Sequence, residues 1–315
     1  MIRNTPKLVI SGRIKRCFYT FTPHPSVNPS IKVASIPKRL VERNIMKAEN
    51  IIQTEKIDLK HLLRAHEESY VLNMINGTVT KQQMQQVGMN EWTPKLIDLI
   101  MSSHQGTLRA SQSAMETGRS MNLAGGSHHA KYHSGGGYCI FNDIVVSAEA
   151  MKALGYIKKY LVIDLDVHQG DGTAQMTRDF EHAYTFSMHC ATNYPFVKEK
   201  SSWDVELPDR IKDDEYLNKL DSCLFELYQL RSQLHSYDIV YYQAGVDVLQ
   251  GDRLGKLSLT VDGVRNRDQM VIDFCKKQQV PVVVTLGGGY PNGEKHTLET
   301  VVDTHCNTVQ ILKDY

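Results

Sequence analysis

The 315-residue chain has few cysteines, no surplus of charge and no long apolar run. Its six cysteines, Cys17, Cys139, Cys190, Cys223, Cys275 and Cys306, are scattered, and no two form a C-x-x-C pair. A disulfide-stapled fold is excluded, and free thiols in a reducing, cytoplasmic setting are expected, with nuclear or exported locations left open. Lys and Arg total 36 against 35 Asp and Glu, a net charge of +1. Direct nucleic acid binding is therefore not expected, since it usually needs a basic surplus. Without a stretch of about 18 apolar residues, no membrane span is expected. The first residues, MIRNTPKLVISGRIKRCFY, lack the apolar core and cleavage site of a secretion signal. Repeats and low-complexity tracts are also missing, and the Pro/Ser/Asn cluster at 22–30 reads as a loop. One domain over residues 1–315 is the expectation.

What remains is an ordinary globular balance, 41% hydrophobic and 23% charged, long enough to bury a large core. Short β-rich runs at 7–11, 16–20, 120–126, 160–167, 182–189, 238–247 and 281–288 alternate with helical patterns at 35–54, 94–118, 142–155, 213–235, 260–279 and 296–313. The runs IVYY (239–242) and VVV (282–284) do not alternate with polar residues, as befits strands covered on both faces. An α/β fold with a mostly parallel sheet and helices on both faces follows.

In such folds ligands sit beyond the carboxyl ends of the strands. The run YLVI leads into IDLDVHQGDG, where Asp164, Asp166 and His168 are two apart and share a strand face. Two acids and an imidazole there need partners, either a divalent metal or hydrogen bonds from helix N-termini. His128 and His129, in GGSHHA, are a candidate proton-transfer pair or a pair of surface histidines; in an extended segment they point opposite ways. Asp164 and Asp171 are the candidate partners that would fix their tautomers. SGGGYCIFND offers a backbone slot beside Tyr138, or merely a flexible turn. Asp247, after DIVYYQAG, is either a third metal ligand or a helix cap. Tyr290, after VVVTLGGG, places a phenol where it could stabilise an oxyanion; phosphate binding is disfavoured because neither glycine signature has the right spacing. Three ligands, Asp166, His168 and Asp247, would leave one zinc position open, the catalytic pattern.

Taken in order, GGSHHA, SGGGYCIFND, IDLDVHQGDG, YYQAGVDVLQGDRLG and LGGGY resemble the zinc-dependent histone deacetylase family, and most nearly its class IV branch. The resemblance runs from about residue 60 to the C-terminus and, more weakly, through His24-Pro25. Gln169, where many relatives have a second His, and GDRLGKLSLTVDG (251–263) carry the class IV likeness. The resemblance implies the single-domain arginase/deacetylase fold around an eight-stranded parallel sheet. It implies zinc held by Asp166, His168 and Asp247, His129 as general base and acid paired with Asp171, and His128 as an electrostatic companion paired with Asp164. Tyr290 would polarise the acyl carbonyl, Gly137 would offer its carbonyl to the substrate amide, and Tyr138 would wall the channel. A structural potassium would match Asp164, Asp166, His168, Ser187 and Met188. Acylated lysine in proteins or peptides is the implied substrate, and hydroxamate-type inhibitors the implied ligands. Three departures stand out: some class IV relatives have Asn in place of Asp171, class I enzymes have an additional Gly before the tyrosine, and the sequence does not place the family's substrate-gripping rim aspartate.

Three other readings share these residues. An acetylpolyamine amidohydrolase would use the same zinc site, but no long inserted dimerisation loop is present. An arginase-like two-manganese hydrolase would need more acids and histidines. A non-catalytic acyl-lysine binding module would not need every proposed catalytic position filled.

Overall fold

The apolar runs pair side by side as expected. In the computed structural model, which describes residues 18–19, 31–233, 237–293 and 296–315, they form one parallel sheet. Its strands are β1 (Phe18–Tyr19), β2 (Ile51–Ile52), β3 (Arg119–Asn122), β4 (Tyr160–Asp164), β5 (Ala183–Cys190), β6 (Trp203–Leu207), β7 (Ile239–Gln243) and β8 (Val282–Thr285). The order is β2-β1-β3-β8-β7-β4-β5-β6, and every pairing is parallel. Six strands of four to eight residues make its body, and the two-residue β1 and β2 extend one edge.

The helices are α1 (Ile31–Glu42), α2 (Leu59–Leu62), α3 (Glu68–Asn76), α4 (Lys81–Val87), α5 (Pro94–Thr117), α6 (Asp143–Ala153), α7 (Asp171–Thr177), α8 (Asp213–Gln233), α9 (Val261–Gln278) and α10 (Leu298–Asp314). Strand side chains alternate between two cores. Leu161, Ile163, Val240, Tyr242, Val282 and Val284 pack with α1, α8, α9 and α10. Tyr160, Val162, Ile239, Tyr241 and Val283 pack on the other face with residues of α3 to α6. Both faces are covered, which is why these strands are apolar throughout.

Several expected boundaries move. The segment 7–11 lies outside the described residues, as do Cys17 and His24-Pro25, and only Phe18–Tyr19 of 16–20 is described as strand. The helix expected at 35–54 is α1, ending at Glu42; Asn44 then takes a left-handed φ of 54°, which turns the chain. The strand expected to run to 167 ends at Asp164, so Asp166 and His168 lie beyond it rather than on it. Likewise 120–126 is strand only to Asn122, and 238–247 only to Gln243. After β3 and β4 the backbone leaves the ladder where polar side chains begin to take up its amide groups; Asp164, for example, accepts the Asp166 N–H at 3.1 Å. After β7 the Ala244 and Val246 N–H groups go instead to the carbonyls of Thr285 and Gly288, each at 3.0 Å.

The last rung of β3, β8, β7 and β4, continued into β5 and β6, explains where the site falls. Asn122, Thr285, Gln243, Asp164, Ser187 and Asp204 stand opposite one another across β3, β8, β7, β4, β5 and β6. All six are polar, although the rungs beneath are mostly apolar. Thr285 donates to Gln243 Oε1 at 2.5 Å, and Gln243 donates to the Gly126 carbonyl at 2.9 Å. Asn122 donates to Thr107 Oγ1 at 2.8 Å. The rung thus closes the core and supports the loops above it.

Candidate active site

Loops from four adjacent strands, β3, β8, β7 and β4, carry the chemistry, although their sequence positions span more than half the chain. After β4 the chain sends Asp166 and His168 upward, and after β7 it sends Asp247. Their ligand atoms lie within 4.8 Å of one another, and all three residues are buried. His168 Nδ1 is 3.1 Å from both Asp166 Oδ1 and Asp247 Oδ2. A ring nitrogen holds at most one proton, so it cannot donate fully to two carboxylates at once. A divalent cation among the three atoms would satisfy them all, and one nitrogen with two oxygens suits zinc. The remaining oxygens are already committed: Asp166 Oδ2 accepts the Gly288 N–H at 2.7 Å and Asp247 Oδ1 the Val167 N–H at 3.0 Å. Burial beside Asp166 pushes the Asp247 carboxyl up to about 7, as expected of two buried carboxylates side by side.

The loop after β3 brings the two imidazoles together. It is not extended, and the His128 and His129 rings lie 4.1 Å apart instead of pointing opposite ways. The reason is Asp143, fully buried at the start of α6. Its carboxylate accepts the N–H groups of Gly126 at 3.1 Å and Ser127 at 2.6 Å, and the Thr107 hydroxyl at 2.5 Å. His128 Nδ1–H donates to Asp164 Oδ2, and His129 Nδ1–H to Asp171 Oδ1, each at 2.7 Å. Burial and the neighbouring His128 lower the His129 pKa to about 4, despite Asp171. Burial would lower His128 too, but Asp164 and Asp166 more than offset it and raise it to about 9. Of the two rings, His129 is the one whose surroundings favour the neutral form, with Nε2 free of its aspartate, and His128 the one whose surroundings favour the charged form.

Gly137 and Tyr138 border the same space. Gly137 has φ +51°, and a Cβ there would overlap the His129 ring. Tyr138, half exposed, also has a positive φ of 67°, a costly backbone for a side chain of this size. Its N–H donates to the Val87 carbonyl at 2.7 Å, which fixes the turn. The Tyr290 ring stands 6.4 Å from Tyr138 and 6.3 Å from His168, centre to centre. Burial and the Asp247 charge hold its phenol well above the usual range, so it is a donor throughout the neutral range. Ser187 stands opposite Asp164 across the β4–β5 ladder, and its hydroxyl meets His189 Nδ1 at 2.9 Å.

Four neighbours escaped the sequence reading. Tyr194 lays its ring edge-on to His129, centroids 5.0 Å apart, and forms the wall facing Gly136. Lys131 reaches Asp171 Oδ2 at 3.3 Å. Asp252 accepts the Tyr290 backbone N–H at 2.7 Å and so anchors that loop. Lys32 donates to the Gly287 carbonyl at 2.8 Å and lies 5.6 Å from the Tyr290 ring centre. An aromatic following a strand, as Tyr194 follows β5, was a usable signal; a lysine 255 residues from its partner gave none.

Residues 25–309 match the histone deacetylase domain family. Among curated relatives, an uncharacterized protein of Picosynechococcus is 38% identical over 80% of this chain and 82% of its own length. Histone deacetylase 2 of Arabidopsis thaliana is 31% identical over 83% of this chain and 68% of its own length. The crystal structure of an HDAC homologue complexed with SAHA superposes with a TM-score of 0.78 at 20% identity, covering 95% of this chain and 84% of that one, a likeness of fold. With a family match across nine-tenths of its length, the chain belongs to the histone deacetylase family.

Proposed function

We propose that the chain is a zinc-dependent amidohydrolase of the class IV type that removes acyl groups, acetyl or longer, from the side-chain amine of lysine in proteins or peptides. One observation carries this reading: the three-ligand cluster, the paired imidazoles and the Tyr290 phenol bound a single space. Asp166, His168 and Asp247 would hold the zinc, which when bound supplies Lewis acidity that acidifies water and polarises a carbonyl.

The chain's own residues do the rest. Gly137, Tyr138 and Tyr194 admit an extended acyl-lysine and exclude bulkier groups, with the Gly137 carbonyl accepting from the substrate amide. Tyr290 donates its hydroxyl proton in a hydrogen bond to the oxygen that becomes negative as the carbonyl turns tetrahedral. His129 takes the proton of the attacking water at Nε2, because Nδ1–H is committed to Asp171. It then returns that proton to the leaving amine, giving free lysine and a carboxylate. His128, charged beside Asp164, opposes a second positive charge on its neighbour and helps drive the proton onward.

The class IV assignment draws support from Gln169. Where many relatives carry a second His, this fully buried amide ties down the next loop, accepting the Glu199 N–H at 2.8 Å and donating to Asp204 at 2.8 Å. A structural potassium at Asp164, Asp166, His168, Ser187 and Met188 is part of the proposal and rests on the family resemblance. Hydroxamates are proposed ligands because an HDAC homologue was solved with SAHA. One catalytic domain in a reducing, cytoplasmic setting completes the reading, supported by five free, buried cysteines among the described residues. No helix among those residues is long and apolar enough to cross a membrane.

The test profiles the purified chain on lysine peptides bearing acetyl through long-chain acyl groups, with acetylated polyamines alongside, with and without chelator. Release of carboxylate from acyl-lysine, lost with chelator and restored by zinc, is the expected result. Binding without release, or a preference for polyamines, would overturn the reading.

A further inference from the structure

The two histidine–aspartate pairs have hydrogen bonds of the same length, and the difference between them lies in the other oxygen of each aspartate. Asp164 Oδ1 accepts a backbone N–H, that of Asp166, at 3.1 Å. The chain itself fixes that carboxylate. Asp171 Oδ2 instead meets Lys131 Nζ at 3.3 Å, and among the described residues no backbone N–H reaches either Asp171 oxygen. The terminal torsion of an aspartate is broad, so a carboxylate gripped by one oxygen can twist. Lys131 is therefore what squares the Asp171 carboxylate to His129.

Lys131 is itself braced. Its N–H donates to the Ser134 carbonyl at 2.8 Å, and its carbonyl accepts from His66 Nδ1–H at 3.0 Å. Its ammonium also reaches Glu199 Oε1 at 3.0 Å. Glu199 is in turn held by Arg178 at 2.5 Å and, through its backbone, by Gln169. The ammonium thus sits between one buried and one partly exposed carboxylate. It takes up part of the Asp171 charge, which would otherwise pull harder on the His129 proton.

We propose that Lys131 is a positioning residue that clamps the second oxygen of Asp171, aims His129, and so sets the second pair apart from the first as the one that transfers protons. This rests on the deacylase reading above.

The experiment uses the full zinc-loaded chain and three variants, Lys131→Met, Lys131→Arg and Glu199→Gln. Steady-state kinetics on an acetyl-lysine peptide are read with zinc content, thermal midpoint and the downfield proton NMR resonance of His129 Nδ1–H. Lys131→Met is expected to lower kcat by about tenfold or more, with KM within about twofold and zinc unchanged. Its NMR resonance moves downfield as Asp171 regains charge. Lys131→Arg restores most of kcat, and Glu199→Gln leaves both kcat and the resonance near those of the wild type. An unchanged kcat and resonance in Lys131→Met would overturn the proposal. So would equal losses in Lys131→Met and Glu199→Gln, since Lys131 would then merely pack the loop. If the wild type releases no carboxylate, the deacylase reading fails by itself, and the resonance alone decides whether Lys131 clamps Asp171.

Discussion

Gly288 donates its N–H to Asp166 Oδ2 at 2.7 Å while lying so close to Asp247 that a Cβ at this position would overlap the Asp247 carboxylate. One residue of LGGGY thus holds one proposed ligand by its backbone and leaves room for another by lacking a side chain. Gly288→Ala is expected to push Asp247 out of the cluster while the sheet persists. Zinc content should fall well below one per chain, with circular dichroism unchanged. Full zinc occupancy in the folded variant would mean that the close approach has no bearing on metal binding.

Tyr290 is anchored by its backbone, through Asp252 and the Arg253 N–H, and not by its hydroxyl. Tyr290→Phe should therefore keep its ring in place and lose only the donor. Loss of one such donor typically costs about 2.7–4 kcal/mol in the barrier, or roughly 10²–10³ in kcat. Zinc content and hydroxamate binding should change little. Turnover near that of the wild type would remove Tyr290 from the mechanism.

The imidazoles are expected to be unequal. His129 is the neutral ring, and its loss in His129→Ala should remove a general base and acid, a factor of about 10²–10⁴. His128→Ala should cost less, since its charge only biases its neighbour. Steady-state kcat for both variants, at matched zinc content, checks this order, and the reverse order would reassign the base.

Much of this site was legible because the strands switch from apolar to polar within one rung. Asp164, Asp247, His129 and Tyr290 all follow apolar runs, and the sheet order makes those runs neighbours. The strand β6 was missed although WDVEL alternates apolar with polar residues: it is a five-residue edge strand, too short for that alternation to stand out from the polar segment before it. The helices α2, α3, α4 and α7 have four to nine residues, too few turns to show a period. Lys131 and Asp143 were silent for another reason. Charged side chains are usually solvated, and only the fold reveals that one meets Asp171 and the other gathers the backbone beneath the histidines.

Away from the Asp166–His168–Asp247 cluster, the buried His66 makes stability depend on acid. Its Nε2 accepts the Asn142 N–H at 2.9 Å and its Nδ1–H donates to the Lys131 carbonyl, a set that only the neutral ring satisfies. Burial, with a smaller push from His104, lowers its pKa to about 3. In the unfolded chain a histidine takes up its proton near pH 6.5. Between these values the unfolded state binds more protons than the folded one. The stabilisation from the neutral ring is therefore fully present above pH 6.5 and is lost as pH falls towards 3, by up to about 1.4 kcal/mol per pH unit. The thermal midpoint of the metal-free chain should fall steadily from pH 7 to pH 4.5. His66→Gln should start lower at pH 7 and fall less steeply, because its side chain has no proton to gain. A variant that loses stability with acid as steeply as the parent would show that the dependence comes from other groups.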